Sequence, residues 1–294
     1  MTIIWCVFLA VVGAASGSFV GVLVWRLKHN ADLSEKLAAK KISSKKFAKD
    51  KLDWVRGRSI CEHCRHSLGA LDLVPVFSWL FLRGKCRYCH AKIGWTALLL
   101  ELGLGAAFGL SFLFWPFGLA TFWSGFLFGL WLIMLILLTA LLVYDARWRL
   151  LPDRLMWPLI VLALVFAVVN YFFMARLSFG EFFATIGLGL LPVAGVYGVL
   201  WLVSRGRWVG LGDVKLGVAV GLLLNWKGAL LVLSLANILG CLVVLPLLVM
   251  KKLKLTSQIA LGPWLIVAMF VAVLWGEVII DWLVSIYGMG RFGF

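Results

Sequence analysis

A chain of 294 residues that is 63% hydrophobic and 14% charged, with a mean hydropathy of +1.03, has more apolar side chains than one water-soluble core can bury. This composition excludes an ordinary soluble domain and predicts that lipid surrounds most of the chain. The formal net charge of +15 would suit nucleic acid, but the basic residues concentrate at the ends of apolar runs, close to anionic lipid headgroups. We therefore expect membrane lipids, and not nucleic acid, as partners.

Apolar runs of about 20 residues are long enough to cross a hydrocarbon layer of about 30 Å. They lie near residues 3–25, 96–115, 118–143, 155–174, 182–203, 228–249 and 260–283. A shorter apolar run at 209–225 contains Asp213 and Lys215. Basic residues follow the first run and do not precede it, which is the reverse of a cleaved secretory signal, so we expect a retained anchor.

The distribution of Lys and Arg predicts the orientation, because cytoplasmic loops collect basic residues. With the amino terminus outside and eight crossings, the cytoplasmic segments 26–95, 145–154, 204–215 and 250–254 contain 25 of the 28 basic residues. Omitting the short run at 209–225 would move the lysines at 251, 252 and 254 to the outer face. The sequence therefore predicts an all-α polytopic membrane protein with about eight transmembrane helices.

Three parts are expected along the chain: a first transmembrane helix at 1–27, a cytoplasmic segment at 28–95, and a transmembrane domain at 96–294. Within the cytoplasmic segment, residues 30–58 are rich in lysine and are expected to form a solvated linker that lies along the lipid surface. Residues 59–95 differ, because they contain four of the six cysteines and three of the four histidines.

Two C-x-x-C pairs, separated by 21 residues, are formed by Cys61, Cys64, Cys86 and Cys89. This spacing lets two tight thiolate turns close a tetrahedral site around one zinc ion. Disulfides are the weaker interpretation, since the predicted topology places the segment in the reducing cytoplasm. Four thiolates leave no open position for substrate, so the zinc is expected to be structural, with the nearby histidines outside the ligand set.

Four of the thirteen acidic residues fall on the inner side of the membrane portion: Glu101, Asp145, Asp153 and Asp213. A charged side chain costs about 2.5–3.5 kcal/mol at the bilayer centre on insertion scales, so each is a functional candidate. Asp145 ends the third predicted crossing and Asp213 begins the sixth, at the same cytoplasmic depth. Two carboxylates that reach one water share a proton, so that one activates the water and the other polarises a scissile carbonyl.

The flanking residues refine this prediction. Gly210 and Gly212 lack a Cβ and are expected to let a substrate backbone approach and to allow unusual dihedral angles. Each aspartate alone could simply pair with a nearby basic residue at a helix end, and their joint occurrence on matching ends favours chemistry. Asp153 can equally cap a helix, and Glu101 can support the site or pair with a cytoplasmic base. Asp153, Glu101 and Lys215 are therefore candidates for residues that support the catalytic pair.

Together these motifs resemble the bacterial type IV prepilin leader peptidases, which are membrane aspartic peptidases of the G-x-G-D class. The similarity covers most of the chain. It rests on both C-x-x-C pairs, Glu101, the stretch from Asp145 to Pro152-Asp153, Gly-Leu-Gly-Asp-Val-Lys at 210–215, and Gly262-Pro263.

The resemblance implies an inner-membrane endopeptidase whose active site faces the cytoplasm, with Asp145 and Asp213 as the catalytic pair. Its substrates would be the basic leaders of type IV pilin or secretion pseudopilin precursors. In many members of the family, S-adenosylmethionine then methylates the new amino terminus. The chain departs from the family pattern at Gly21, Glu62 and Arg147, and Gly21 and Arg147 bear on methylation more than on cleavage. Arg147 is also expected to favour the ionised form of Asp145.

Two other classes stay open from the sequence. A presenilin-like intramembrane protease also pairs Tyr-Asp with Gly-Leu-Gly-Asp, but it carries a late Pro-Ala-Leu motif and would not explain the cysteines. A non-enzymatic transporter or assembly scaffold could use the aspartates as a proton relay and the zinc loop as a docking site. The sequence indicates neither the client protein nor the oligomeric state.

Overall fold

The computed structural model describes residues 1–41, 43–50, 52–53, 59–61, 63–64, 66–252 and 260–286, and divides into two compact units, Met1–Leu113 and Phe114–Phe294. The helices of the first unit are α1 (Thr2–Ala38), α2 (Ser44–Asp50), α3 (Phe77–Phe81) and α4 (Trp95–Leu113), with a 3₁₀ turn at Ala70–Leu73. Two antiparallel bridges, Ile60 with Ser67 and Lys85 with Lys92, lie between α2 and α4.

Glycines bring the backbones of α1 and α4 together. A Cβ on Gly13 would lie 2.6 Å from the carbonyl oxygen of Leu104, and one on Gly105 would lie 2.9 Å from that of Ala10. Gly17 packs still more closely against a carbonyl of α4. Lipid supplies no hydrophobic force between helices, so such close packing is what holds them together. This packing places α4 in one compact unit with α1, and the division between the two units falls after residue 113. The functional boundary expected between residues 95 and 96 stays a prediction.

The basic segment that follows the first apolar run is more ordered than a solvated linker. α1 continues to Ala38, and α2 follows after a short turn. The side chain of buried Asn30 donates to the carbonyl of Leu52 at 2.7 Å and accepts from its N–H at 3.0 Å. Where residues 30–53 are described they are mostly helical and tied back to α1, while the described lysines from Lys36 to Lys46 stay exposed as expected.

The second unit is a bundle of helices joined by short loops. Its helices are α5 (Phe122–Trp148), α6 (Asp153–Val169), α7 (Phe179–Leu190), α8 (Val196–Ser204), α9 (Leu211–Leu223), α10 (Trp226–Val249) and α11 (Gly262–Ile286). A π-helical turn extends α6 at Asn170–Met174, and another joins α7 to α8 at Leu191–Gly195. α9 packs against α6 and α7, and α11 packs against α5 and α10.

α9 is short but deeply packed. Every residue from Leu216 to Leu223 is buried except Val218, which is half-buried. A Cβ on Gly217 would lie 2.8 Å from the backbone nitrogen of Ala194, and one on Gly221 would lie 2.7 Å from the carbonyl oxygen of Gly189. Backbone contact with the α7–α8 stretch therefore holds the helix whose first turn contains Asp213.

Seven helical stretches among the described residues are long and apolar enough to cross a membrane. They are Thr2–Ala38, Trp95–Leu113, Phe122–Trp148, Asp153–Met174, Phe179–Ser204, Trp226–Val249 and Gly262–Ile286. The prediction of a helical, multi-pass membrane protein is confirmed. The eighth predicted crossing corresponds to α9. Its 13 residues extend about 20 Å, which is shorter than the hydrocarbon layer of about 30 Å. Its crossing stays a prediction.

The α1–α4 contact can be tested with two glycines of the same helix. Gly105 contacts α1, whereas a Cβ on Gly103 would meet nothing within 4 Å. We expect Gly105→Leu to destabilise the protein by about 1–3 kcal/mol through overpacking, and Gly103→Leu to leave stability nearly unchanged. The measurement is the unfolding temperature of the full chain in detergent. Equal unfolding temperatures for the two variants would contradict the packing described.

Candidate active site and metal centre

Asp145 lies in the last turn of α5. The helix ends at Trp148, and Arg149 follows in the left-handed conformation with its N–H donating to the carbonyl of Asp145 at 2.8 Å. The Asp145 side chain is only 5% exposed, and its Oδ2 has no hydrogen-bond partner of ordinary geometry among the described residues. Burying a carboxylate oxygen without a hydrogen-bond partner costs free energy, so the burial of Asp145 does not stabilise the fold.

Gly262, the first residue of α11, packs directly on this carboxylate. Its backbone N–H is directed at the Asp145 side chain. A Cβ at position 262 would lie 2.5 Å from Oδ2 and 3.1 Å from Cγ, closer than a Cβ can come. Only glycine therefore lets the start of α11 lie against the Asp145 carboxyl group as it does here.

Asp213 lies in the first turn of α9, where its backbone N–H donates to the Gly210 carbonyl at 3.1 Å. Its Oδ2 in turn accepts the Gly210 N–H at 3.3 Å, so the aspartate takes part in capping its own helix. The side chain is half-buried, and it interacts electrostatically with Asp145. The structure thus places the two carboxylates that the sequence predicted as a pair within electrostatic range of each other, and their joint catalytic role stays a prediction.

The two glycines before Asp213 have local structural roles. Gly210 has φ −77° and ψ 150°, an extended conformation open to any residue. A Cβ on Gly212 would lie 2.8 Å from the Cβ of Leu151, so this glycine lets α9 begin close to the α5–α6 loop. The expectation of unusual dihedral angles is wrong for Gly210, and positive φ is not found at Gly212. Approach of a substrate backbone to either glycine stays a prediction.

Asp153 and Lys215 bind each other across the starts of α6 and α9. The Lys215 Nζ lies 2.5 Å from Asp153 Oδ1 and 5.9 Å from the ring centre of Trp157. Asp153 is the first residue of α6 and follows Pro152 at the N-cap. The Asp153 side chain is 61% exposed and that of Lys215 is 24% exposed, so solvent screens the pair and it contributes at most about 1 kcal/mol. Its effect is to hold the Asp213 end of α9 beside α6.

Glu101 is buried within the first unit, in the second turn of α4. Its Oε2 accepts the backbone N–H of Val76 at 2.6 Å. This carboxylate oxygen therefore satisfies the backbone N–H of the residue that precedes α3. The hydrogen bond is a structural contact within the first unit.

Sequence reasoning missed three residues of the C-terminal unit. Gly262 was noted only as part of a Gly-Pro motif. No sequence pattern marked Leu151 or Tyr197 as part of a site. Tyr197 in α8 is buried and lies within electrostatic range of Asp213. Arg147, expected to act on Asp145, is exposed, with its guanidinium 5.8 Å from the ring centre of Trp148.

The four cysteines of the C-x-x-C pairs form one cluster. The sulfurs of Cys61, Cys64, Cys86 and Cys89 all lie within 4.8 Å of one another, and those of Cys61 and Cys89 are 3.8 Å apart. A tetrahedral ion with zinc–sulfur bonds of about 2.3 Å separates its ligands by about 3.8 Å. The cluster therefore has the dimensions to hold a metal ion.

Similar hairpin turns build the two halves of this cluster. In the first, the Cys61 N–H donates to the His66 carbonyl at 3.0 Å beside the bridge of Ile60 with Ser67. In the second, the Cys86 N–H donates to the Ala91 carbonyl at 2.8 Å beside the other bridge. Each turn leaves backbone N–H groups near its sulfurs, which suits thiolate ligands.

The thiols of the cluster influence one another's ionisation. Burial raises the pKa of Cys61, but hydrogen bonds from the backbone N–H groups of Cys64 and His63 contribute to lowering this pKa to about 7. A hydrogen bond from the Ala91 N–H lowers the pKa of Cys89, but burial and the other three thiols raise it to about 11. Backbone N–H groups thus favour the thiolate form of Cys61, which is the form that binds a divalent cation.

Two family models match the chain. The bacterial peptidase A24 N-terminal domain matches residues 11–115, and the type IV leader peptidase family matches residues 132–245. The first match contains the cysteine cluster and Glu101, and the second contains Asp145 and Asp213. No solved structure matches the chain significantly.

Curated relatives extend the similarity over nearly the whole chain. A prepilin leader peptidase/N-methyltransferase of Aeromonas hydrophila is 34% identical over 76% of this chain and 74% of its own length. Proteins of the same name from Dickeya chrysanthemi and Dichelobacter nodosus are 30% and 32% identical, covering 90% and 88% of both chains. With the cysteine cluster and the paired carboxylates in place, the chain belongs to the type IV leader peptidase family.

Proposed function

We propose that this protein is a membrane aspartic endopeptidase that removes the leader peptide from type IV prepilins or pseudopilins. The observation that carries the proposal is the buried Asp145 carboxylate, which interacts with Asp213 at the start of α9 and whose Oδ2 has no hydrogen-bond partner of ordinary geometry among the described residues. Family membership and the relatives' names agree with this function.

The two carboxylates supply the acid and the base of peptide hydrolysis. In such a pair, one group is ionised and takes a proton from a water molecule, which attacks the scissile carbonyl. The other is protonated and donates a hydrogen bond to that carbonyl oxygen as charge develops on it. The proton taken from water then passes to the leaving amine. Asp145 contributes a free, buried oxygen to this chemistry, and Asp213 contributes a carboxylate held by the backbone of Gly210.

The site is proposed to face the cytoplasm across the inner membrane. The distribution of basic residues supports an outward amino terminus and eight crossings, with α9 as the sixth. α5 ends and α9 begins at the site, so both carboxylates would lie near the inner surface. A leader segment that stays in the cytoplasm could reach them there while the hydrophobic segment of the precursor remains in lipid.

Two accessory features complete the proposal. A zinc ion held by Cys61, Cys64, Cys86 and Cys89 would be structural, because four thiolates fill its coordination sphere. N-methylation of the new amino terminus, with S-adenosylmethionine as methyl donor, is a second reaction suggested by the relatives' name and by the sequence resemblance. None of the described residues is assigned to that donor.

Asparagine at either aspartate tests the catalytic pair. We expect Asp145→Asn and Asp213→Asn each to reduce cleavage of a prepilin by at least about 10²–10⁴-fold, since the amide cannot accept or supply the proton. Cleavage by purified protein is followed by mass spectrometry of the mature amino terminus, where an added methyl group would also report methylation. Asp281→Asn, near the other end of α11, serves as control. Cleavage that survives either mutation would return the transporter or scaffold interpretation to first place.

Gly262 tests the packing that positions Asp145. We expect Gly262→Ala to displace the carboxyl group and lower kcat by about 10²-fold, because a small misplacement of a catalytic group has effects of that size. Gly276→Ala on the same helix is the matched control, since its Cβ would meet only ordinary contacts at 3.8 Å or more. Comparable activity in the two variants would contradict the close packing of α11 on Asp145.

The metal centre is tested by metal content. We expect about one zinc ion per wild-type chain and loss of that zinc in Cys86→Ser, together with a lower unfolding temperature. Cys241→Ser, at an exposed position in α10, should keep the wild-type zinc content. Elemental analysis of the purified proteins gives the result, and undiminished zinc in Cys86→Ser would exclude the proposed ligand set.

A further inference from the structure

The stretch between the two cysteine turns exposes a continuous apolar surface. We name residues 71–81 the α3 segment; its exposed apolar side chains are Leu71, Leu73, Val74, Phe77, Leu80 and Phe81. Within α3, Phe77, Leu80 and Phe81 are 61%, 54% and 84% exposed and lie at i, i+3 and i+4, on one face of the helix. Such a face is not left in contact with water without a reason.

The start of α3 is held by a strained turn. Val76 has φ 64° and ψ −52°, and the Phe77 N–H donates across it to the Pro75 carbonyl at 2.6 Å. This is a γ-turn of the rare form, and a β-branched residue at positive φ is a true outlier. The buried Glu101 carboxylate binds the Val76 N–H and stabilises this conformation. The hydrogen bond from Val76 to Glu101 thus fixes the start of the helix whose apolar face is exposed.

The same hydrogen bond relates α3 to the membrane. Glu101 lies six residues after Trp95, the first residue of α4, or about 9 Å along the helix axis. α4 has 19 residues, which is about the length required to cross the hydrocarbon layer. Side chains of α4 tilt toward its first residue, Trp95. Val76, whose N–H binds the Glu101 carboxylate, therefore lies level with the first two turns of α4. The ring of Trp79 also packs 4.6 Å from that of Trp95. α3 therefore lies at the end of a membrane span.

Exposed basic residues follow the apolar face in the chain. Exposed Arg83, Lys85 and Lys92 follow α3 closely, and Arg87 binds Asp72 at 2.7 Å, which neutralises the one acidic residue of the α3 segment. An apolar face with basic residues at its edge matches the boundary between acyl chains and anionic headgroups.

We propose that the α3 segment is an interfacial membrane anchor, which inserts Phe77, Leu80 and Phe81 among the phospholipids at the end of α4. The anchor would hold the metal-binding loop at the membrane surface. The partner is a lipid bilayer with anionic headgroups, and this role goes beyond the cleavage reaction.

The test replaces Phe81 by the photoreactive residue p-benzoylphenylalanine in the full-length protein, reconstituted in nanodiscs of phosphatidylcholine and phosphatidylglycerol. After irradiation, mass spectrometry should find phospholipid attached at position 81. The control places the same residue at His63, an exposed position of the first cysteine turn, where we expect no lipid adduct above background. Phe77 provides a second labelling position, and retained zinc would show that each variant is folded.

Labelling of phospholipid at positions 77 and 81 and not at 63 would establish the anchor. An absence of lipid adducts at both apolar positions in zinc-loaded protein would overturn the proposal. Adducts on a second copy of the chain, or on a prepilin added to the nanodiscs, would overturn it as well and would identify a protein-binding face.

Discussion

The contact between the Asp145 carboxylate and the backbone of Gly262 is the constraint on which the C-terminal unit depends. An apolar helical bundle does not readily accept a buried carboxylate, and this one has an oxygen without a partner. The absence of a Cβ at position 262 lets α11 begin against it. The end of α5 and the start of α11 thereby meet, and the start of α9 brings Asp213 into electrostatic range.

Two buried acidic residues illustrate how the structure separates stability from chemistry. Glu101 and Asp145 are both almost completely shielded from solvent, and both belong to apolar helices. Glu101 accepts a short hydrogen bond from Val76 and stabilises a strained turn. Asp145 has no comparable partner for Oδ2. A carboxylate that is already satisfied is poorly suited to proton transfer, whereas an unsatisfied one is available to a substrate or a water molecule.

Close backbone packing recurs in both units for the same physical reason. Between helices in lipid, apolar side chains gain little by leaving one apolar environment for another, so dispersion contacts between close backbones matter more. Gly105 lets α4 pack on α1, and Gly217 and Gly221 let α9 pack on the α7–α8 stretch. For α9 this packing also fixes the position of a catalytic candidate, so stability and function use one set of contacts.

The amino-acid sequence by itself determined the class of the protein and the helical spans, and it supplied the residues that are predicted to form the site. Apolar runs of a length set by the bilayer predict helices with little ambiguity, and seven of them are confirmed. The C-x-x-C spacing predicted a cysteine cluster because two short turns can meet around one ion, and the four sulfurs do converge. The two aspartates were recognisable because charged residues are rare and costly beside apolar helices.

Only the tertiary structure decided how these residues are used. The roles of Gly262 and Leu151 arise from contacts between segments far apart in the chain, which hydropathy and local spacing do not encode. Asp153 pairs with Lys215 because α6 and α9 start side by side, and its expected role in capping or chemistry stays a prediction. Likewise, α1 extends to Ala38, and Asn30 ties the end of the described basic segment back to this helix by binding the backbone of Leu52. Local patterns specify helices, whereas the lack of a hydrogen-bond partner for Asp145 Oδ2 depends on every element packed around it.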